Sequence, residues 1–436
     1  MNIAVIHPDL GIGGAERLVV DAAVGLQNIH KHNVTMYTAH HSTDHCFIET
    51  KGGTLKVQVH GDFLPTKVLG GFHVLCSIIR MHFLTLMIWF SMKKYDIFLV
   101  DQVSAHIPLL RFLNPSAKIV FYCHFPDKLL SKPAVGALAP LKKIYRAVFD
   151  AIEEFTTGMA HSILVNSEFT GTQFAQQFKS LLIKPKVLYP PINTALYDEK
   201  PPQDSKQDRV SSVLSKKIGI VSINRFERKK GIDLAVKSFD IVKKKTNRND
   251  LVLVLAGGYD PNLEENVLHF AELQDLVKKL NLSEHVLMVP SFSNVERYAL
   301  LHDSAVIVYT PQNEHFGIVP VEAMYCERCV VAANSGGPLE SIKDKETGFL
   351  VENEPNAFAD AIIEFLNMTE KQRETFGKNA RKRVQSRYTL EVFADGLNSE
   401  FQRVSKLASN SFKRYFVSIV VVAPILFVVL SWLLIQ

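Results

Sequence analysis

The sequence is poor in cysteine, carries little net charge and begins without the features of a secretory signal. Only 5 of its 436 residues are cysteine, and the formal net charge is +5. So few cysteines argue against a disulfide-held secreted scaffold, and a small charge of mixed sign argues against a nucleic-acid binder. The first residues have neither a basic segment nor an extended apolar run. We therefore expect a reduced, cytosolic body with no nucleic-acid partner.

The cysteines also lack the spacing of a zinc site. Cys326 and Cys329 form one Cys-x-x-Cys pair, and no second pair of cysteines or histidines follows at zinc spacing. We expect both to be small buried residues.

The C-terminal residues carry a targeting signal. The range 415–435 is uninterrupted by charge and long enough to cross a hydrocarbon core of about 30 Å. Lys406, Lys413 and Arg414 precede it and no basic residue follows. The positive-inside rule then leaves the preceding body in the cytosol. We expect a C-terminal transmembrane anchor.

A second apolar stretch, 72–92, is interrupted by Arg80 and His82. His73, Ser77 and Arg80 fall at helical spacing and form a narrow polar stripe. This pattern favours a membrane-interacting helix that lies at the interface over one that spans the bilayer.

Short apolar runs without alternation recur along the chain between helical patterns. Such runs are typical of parallel strands covered on both faces. The sequence therefore predicts an α/β protein with two doubly wound, Rossmann-like domains and a ligand cleft between them. The predicted strands are 3–6, 34–37, 97–100, 119–122, 163–165, 218–223, 251–255, 286–289, 305–309 and 330–333. The predicted segments are an N-terminal domain 1–199, a linker 200–217, a second domain 218–385 and a helical segment 386–405 that packs back toward the first domain.

A glycine-rich turn follows the first predicted strand. Gly13 and Gly14 stand in it just before an apolar-periodic helix, where exposed backbone amides can cradle an anion. A nicotinamide-binding fingerprint requires glycine where Glu16 stands, which argues against a dehydrogenase. Taken alone, the turn is equally well explained by tight backbone geometry.

A basic loop follows the strand 218–223. It contains Arg225 and Lys230, and cations at the carboxyl end of a parallel strand suit a diphosphate. They could neutralise the charge that grows on a departing nucleotide diphosphate. The alternative is that these charges lie in a solvent-exposed loop and bind no ligand.

The most specific pattern is Glu314-x7-Glu322, directly after the strand 305–309. Phe316 and Gly317 lie between the two carboxylates, and Pro320 suits the first turn of a helix. Free amides near Phe316 and Gly317 can meet phosphate, while the carboxylates accept hydrogen bonds from sugar and ribose hydroxyls.

These three motifs stand in the order seen in retaining nucleotide-sugar glycosyltransferases of the GT-B fold, and the resemblance covers roughly residues 1–400. The strings His7-Pro-Asp-Leu-Gly-Ile-Gly-Gly-Ala-Glu-Arg17, Tyr122-Cys-His-Phe-Pro-Asp127 and Glu314-His-Phe-Gly-Ile-Val-Pro320 resemble the α-1,3/α-1,6-mannosyltransferases of dolichol-linked oligosaccharide assembly.

The resemblance implies GDP-mannose as donor and a mannosyl-chitobiosyl diphosphate on dolichol as acceptor. It places Arg225 and Lys230 on the donor diphosphate, Glu314 on the transferred sugar and Glu322 on the ribose. It also places Gly13 and Gly14 near the phosphates and makes His124 the cleft histidine that contacts the sugar. Location in the endoplasmic reticulum membrane, with the body facing the cytosol and other cytosol-facing transferases of the pathway as partners, follows in the same way.

No Asp-x-Asp occurs in the sequence, and such a pair is the usual means of holding a metal against a nucleotide diphosphate. We expect Arg225 and Lys230 to take its place, with no bound catalytic metal or other cofactor, although Mg²⁺ could still act indirectly through the lipid diphosphate. A non-catalytic scaffold subunit, a transferase for a different lipid and a nucleotide-sugar epimerase are the alternatives. The membrane tail disfavours the epimerase.

Overall fold

The computed structural model describes residues 1–68, 72–130, 139–201 and 208–408. The chain forms two compact units. The first unit runs from Met1 to Tyr189 and resumes at Glu391, and the second runs from Pro190 to Leu390. The predicted anchor 415–435 lies outside the described residues.

The first unit is built on a seven-stranded parallel sheet with the order β3-β2-β1-β4-β5-β6-β7. Its strands are β1 Asn2–His7, β2 Asn33–Thr38, β3 Lys56–Val59, β4 Ile97–Asp101, β5 Lys118–Cys123, β6 Ser162–Val165 and β7 Lys186–Val187. Its first seven helices are α1 Gly14–Asn28, α2 Ile48–Lys51, α3 His73–Phe90, α4 Ile107–Leu113, α5 Asp127–Leu130, α6 Ala139–Thr157 and α7 Glu168–Gln177.

Both faces of this sheet are covered, which explains why its strands are continuous apolar runs. Along β1, Ile3 and Val5 belong to one buried cluster, whereas Ala4 and Ile6 belong to another on the opposite face. Successive side chains of a strand point to opposite faces, so two helical layers require an apolar residue at every position.

The second unit has a six-stranded parallel sheet with the order β10-β9-β8-β11-β12-β13. Its strands are β8 Ile218–Ile223, β9 Leu251–Gly257, β10 Val286–Pro290, β11 Ser304–Tyr309, β12 Cys329–Ala333 and β13 Phe349–Val351. Its helices are α8 Ala195–Asp198, α9 Ser211–Leu214, α10 Ile232–Thr246, α11 Glu264–Lys279, α12 Asn294–His302, α13 Ile318–Tyr325, α14 Pro338–Ser341, α15 Pro355–Leu366 and α16 Glu370–Arg387.

The last described helix, α17 (Leu390–Ser405), returns the chain to the first unit. Phe393, Leu397 and Phe401 are buried in the same cluster as Ile3. The buried Glu400 carboxylate accepts hydrogen bonds from Ser162 Oγ at 2.5 Å and Lys186 Nζ at 2.6 Å. This helix is therefore part of the core of the first unit.

The division between the units differs in position from the boundary predicted at 199. It falls between Tyr189 and Pro190, because the residues that follow pack within the second unit. Part of the predicted linker 200–217 is also folded there. Val210 is fully buried, and Arg209 Nε donates to Glu296 Oε1 at 2.7 Å.

The apolar stretch 72–92 forms α3. Among the described residues, α3 is the one helix long and apolar enough to cross a membrane. Met81, Leu84 and Ile88 are fully buried in the first unit, while Trp89 and Phe90 are exposed. Packing of one face therefore accounts for much of its apolar composition without a membrane.

Candidate functional site

The predicted basic loop and the first predicted carboxylate meet at the carboxyl end of the sheet in the second unit. Lys230 lies in a short 3-10 turn before α10, and Glu314 lies in the loop after β11. Lys230 Nζ is 2.5 Å from Glu314 Oε2, and the two side chains are only 13% and 22% exposed. Burial raises the pKa of Glu314, but Lys230 outweighs it and the net shift is downward. Glu314 is thus held as a carboxylate.

Tyr309, the last residue of β11, lies beside the same groups. Its side chain is buried, and burial raises its pKa well above the ordinary value, with Glu314 and Glu322 adding to the rise and Arg225 opposing it. The phenol therefore stays neutral and can donate a hydrogen bond to Glu314. The charges of Arg225, Glu314 and Glu322 all act on the Tyr309 phenol. The structure therefore brings these three predicted residues into one region of the second unit.

Arg225 has a looser position than Lys230. Its side chain is 62% exposed, and its Nη1 lies 3.0 Å from Glu227 Oε1. Its stem passes Gly258, where an added Cβ would lie 3.3 Å from Arg225 Cγ. The guanidinium is therefore exposed and able to turn toward a ligand.

Two glycines after β12 hold the loop that carries Glu314. Gly336 has a φ of 64°, and a Cβ there would come within 2.4 Å of the Glu314 carbonyl oxygen. At Gly337 a Cβ would lie 2.1 Å from the Phe316 oxygen, and its N–H donates to Glu314 O at 2.8 Å. Neither position accepts a side chain without moving this loop.

Phe316 and Gly317 shape the start of α13 mainly through packing and backbone. Phe316 is buried, with its ring centroid 5.6 Å from that of Tyr388. Gly317 is the N-cap at φ 81°, and a Cβ there would lie 3.1 Å from the Tyr309 ring. Gly317 has no side chain with which to cap this helix start, so its first amides can meet an anion.

The second predicted carboxylate, Glu322, is buried on α13 and braced by two donors. Tyr197 Oη and Arg297 Nη2 donate to the same oxygen, Glu322 Oε1, at 2.7 Å and 2.5 Å. The charge of Glu322 raises the pKa of Arg297. Among the described residues, Oε2 has no hydrogen-bond partner. One oxygen is thus fixed by protein, and the other remains for a ligand hydroxyl.

His124 belongs to a buried charge network in the first unit. Asp101 ends β4 with its carboxylate fully buried, 2.7 Å from His7 Nδ1 and 2.8 Å from His124 Nε2. These residues meet because β1, β4 and β5 are neighbours and parallel. Burial alone raises the pKa of Asp101, but His124 and His7 hold it below its usual range.

His7 carries the positive charge of this network. Burial lowers its pKa, but Asp101 and Glu16 outweigh that effect and raise it to about 9. Glu16 Oε1 is 3.9 Å from His7 Nε2. A charged His7 and an ionised Asp101 therefore lie beside the imidazole of His124.

Sequence reasoning assigned no role to His7, Asp101, Tyr309, Tyr197 or Arg297. His7 and Asp101 each end a predicted apolar strand or follow it directly, which is a usable signal for site residues. Tyr197 and Arg297 lie far from Glu322 in sequence, and no spacing rule connects them.

Gly13 and Gly14 form the N-terminus of α1 as predicted. Gly13 is its N-cap in extended conformation. A Cβ on Gly14 would meet nothing within 4 Å, and one on Gly13 would meet the movable Glu16 carboxylate. The described fold does not itself require glycine at position 14, and the open space suits a ligand. Their role near phosphates stays a prediction.

Metal ligands are not clustered in the described ranges. No group of three or more His, Cys, Asp or Glu residues there is placed to hold a metal ion. All five cysteines are free, and Cys326 and Cys329 are buried. The expectation of no bound catalytic metal stays a prediction.

Comparisons with known proteins agree with this geometry. Residues 12–196 match the model described as Glycosyltransferase Family 4, and residues 204–383 match Glycosyl transferases group 1. The alpha-1,3/1,6-mannosyltransferase ALG2 of Rhizomucor pusillus is 45% identical, with 92% of this chain and 91% of the relative covered. The protein of the same name from Homo sapiens is 43% identical, with 93% and 96% covered.

A solved structure shows the same fold at low sequence identity. The sucrose-phosphate synthase of Thermosynechococcus elongatus has a TM-score of 0.70 at 19% identity, with 92% of this chain and 98% of that chain covered. The predicted α/β class with two Rossmann-like domains is confirmed. Together with the relatives above, these matches show that the chain belongs to the α-1,3/1,6-mannosyltransferase family of glycosyltransferases.

Proposed function

We propose that this glycosyltransferase moves mannose from GDP-mannose to a mannosyl-chitobiosyl diphosphate on dolichol, forming α-1,3 and α-1,6 bonds with retention of configuration. Relatives of high identity named for both linkages support the two products. The single observation that carries the assignment of the chemistry is the buried contact of Lys230 with Glu314 at the carboxyl end of β11.

Lys230, Arg225 and the first amides of α13 bind the donor diphosphate. Both cations lie at the carboxyl end of β8, and the uncapped start of α13 follows β11, the neighbour of β8 in the sheet. Fixed cations and amides stabilise the charge that grows on a departing diphosphate without rearranging during the reaction. Such groups are each worth several kcal/mol of barrier reduction.

Glu314 positions the mannose and Glu322 the ribose. A carboxylate that accepts from hydroxyl groups fixes the sugar ring relative to the leaving oxygen. In the transfer, the bond between mannose C1 and the phosphate oxygen breaks while the acceptor oxygen attacks the same face. The acceptor proton passes to the departing phosphate oxygen, so GDP leaves protonated at that site and no enzyme nucleophile is consumed.

His124 contacts the transferred sugar, with His7 and Asp101 behind it. Asp101 lies 2.8 Å from Nε2 of His124, which leaves Nδ1 as the nitrogen that meets a hydroxyl. The ionised Asp101 beside the ring favours one orientation of the imidazole, and a ring held in one orientation is a better partner than a mobile one.

The protein acts at the endoplasmic reticulum membrane with its body in the cytosol. The basic residues before 415–435 support this orientation, and other cytosol-facing transferases of the pathway are its candidate neighbours. Arg225 and Lys230 take the place of a catalytic metal, and any effect of Mg²⁺ on the rate comes from its binding to the lipid diphosphate of the acceptor.

The purified full chain, assayed with GDP-mannose and a lipid-linked mannosyl-chitobiosyl diphosphate, tests this proposal. We expect mannosylated product, inhibition by GDP well above that by UDP or ADP, and loss of activity in Glu314→Ala. A scaffold subunit would give no product and would be indifferent to that change. Product with a different lipid in place of dolichol, and none with dolichol, would reassign the acceptor.

A further inference from the structure

A small cavity with several polar lining residues lies in the first unit beside the glycine-rich turn. It has a volume of about 110 Å³, and its lining includes Asp9, Ala39, Thr66, His73, Ser77 and Arg80. Asp9 follows β1 and Ala39 follows β2, so the cavity opens at the carboxyl edge of the sheet. The other side is formed by the polar stripe of α3, whose role the proposed donor site does not explain.

Arg80 is the unusual member of this lining. The residue is 8% exposed and is the only Arg, Lys, Asp or Glu of α3, all of whose residues the structure describes. Its Nη2 donates to Ala39 O at 2.9 Å, and its buried Nε has no acceptor among the residues that the structure describes. A buried guanidinium with an unused donor is costly unless an anion or another acceptor completes it.

The neighbouring carboxylates do not supply that acceptor. Asp62 Oδ1 is 3.8 Å from Arg80 Nη2 but 2.6 Å from His40 Nδ1, so His40 is its nearer partner. Asp9 is exposed at the rim, where water screens its charge. His73, in the first turn of α3, and Ser77, one turn later, add side-chain donors.

Apolar side chains stand in the segments that border the cavity. Phe63, Val68 and Phe72 are 75%, 45% and 44% exposed. The ring of Phe63 packs edge-on against Phe83 of α3, with centroids 5.3 Å apart. A ligand with a phosphate group and an apolar chain would satisfy both the buried cation and these exposed side chains.

We propose that this cavity binds the diphosphate of the lipid-linked acceptor, with Arg80 as its main cation. The inference rests on the proposed function for the identity of the lipid. The anion chemistry itself is shared by a lipid diphosphate and by free pyrophosphate, and the experiment separates the two.

The kinetic test compares two acceptors in the full chain: the lipid-linked diphosphate and the same sugar on an uncharged alkyl glycoside. Loss of a charged hydrogen bond in Arg80→Gln raises KM for the diphosphate acceptor at least about tenfold, and leaves KM for the glycoside and for GDP-mannose nearly unchanged. Lys93→Gln is the control, because it removes one exposed positive charge just after the same helix.

Ser77→Leu is a second test that does not depend on whether Arg80→Gln folds, because it fills the cavity and leaves Arg80 in place. It should raise the same KM. Unchanged KM for the diphosphate acceptor in both variants overturns the inference, as does an equal rise for the glycoside.

A binding measurement separates this inference from the proposed function. With the donor site saturated by GDP, inorganic pyrophosphate should bind the wild-type chain and bind Arg80→Gln at least about tenfold more weakly. Equal binding overturns the site even if mannose transfer is intact. A wild-type chain that binds pyrophosphate through Arg80 but transfers no mannose would instead refute the proposed function. Binding of free pyrophosphate without any effect on acceptor KM assigns the cavity to a soluble anion and overturns the acceptor role.

Discussion

Lys230 and Glu314 differ from the many exposed ion pairs of this protein in how little water reaches them. The pair of Lys343 and Glu346 is similar in length, 2.7 Å, but its side chains are 58% and 56% exposed. An exposed pair contributes little, whereas a shielded carboxylate fixed by one cation keeps its direction and charge. A carboxylate proposed to position a sugar needs this shielding.

Glu314→Gln should lower kcat about 10²- to 10³-fold, since groups that orient or stabilise reacting charge have effects of that size. Glu346→Gln removes the same charge from the exposed pair and should leave kcat unchanged. Initial rates with saturating GDP-mannose measure both. Equal rates for Glu314→Gln and wild type would remove Glu314 from the site.

His7 gives the first unit a pH dependence of stability. Its pKa is raised from 6.5 to about 9 in the folded state, so the stabilisation is fully present below the unfolded value and is lost as pH rises through about 9. Denaturant unfolding should show a falling free energy of unfolding between those values.

Asp101→Asn removes the main counter-charge of His7 and should flatten this dependence. It should also lower kcat if His124 depends on the network. A slope that survives in Asp101→Asn would assign the pH dependence to other groups.

At the scale of elements, the short helix α8 connects to α13 and α16. Tyr197 of α8 donates a hydrogen bond to Glu322 of α13. The next residue, Asp198, accepts hydrogen bonds from Tyr325 Oη and Arg381 Nη2, each at 2.7 Å. These contacts hold α8 against the helix that carries Glu322, the carboxylate proposed to bind the ribose, so α8 is a positioning element for that carboxylate.

Tyr197→Phe should raise KM for GDP-mannose about tenfold, because a hydrogen bond to a charged group is lost, with a smaller change in kcat. The matched control is Tyr298→Phe on α12. The Tyr298 ring stacks on His302 with ring centroids 4.0 Å apart, and its hydroxyl has no hydrogen-bond partner among the described residues. Equal KM values for the two variants would contradict the bracing role.

Helix α17 contributes core side chains to the first unit from the far end of the chain. Phe401→Ala should cost about 3–5 kcal/mol of unfolding free energy, as large-to-small core substitutions do. Gln402→Ala, at the exposed neighbouring position, should cost little. Chemical denaturation of the two variants measures the difference, and similar costs would show that α17 is not part of the folded core.

The strands that the sequence predicts correctly are those with a continuous apolar run. All ten predicted strands are present, because each lies inside a doubly covered sheet or carries a long apolar run. The sequence missed β3, β7 and β13, and each of these is a sheet edge. These three strands have only 4, 2 and 3 residues and are partly exposed, so they lack the continuous apolar run that marks a central strand. The remaining edge strand, β10, is predicted because it does carry such a run.

For the candidate site, too, the sequence predicts the residues that stand in a local motif and misses those that meet only in the folded chain. Glu314, Lys230 and His124 stand in local motifs, and the sequence predicts a site role for each of them. Tyr197, Arg297 and Asp101 act through contacts across long sequence separations, and the sheet order that creates these contacts is not written in any one motif.

At the scale of the whole molecule, the two units have separate tasks. The second unit carries the groups proposed to hold the nucleotide diphosphate, and the first carries His124 and the cavity at Arg80. A chain with one set of donor-binding groups should make both bonds through the same carboxylate and cations. The central claim is therefore that the α-1,3 and α-1,6 transfers share Glu314 and Lys230.

Linkage and anomeric analysis of the products made by wild type and by Glu314→Gln tests that claim most directly. The account predicts α configuration at both new bonds and a parallel loss of both linkages in the variant. A β-linked product, or one linkage that survives at the wild-type rate while the other disappears, would contradict it.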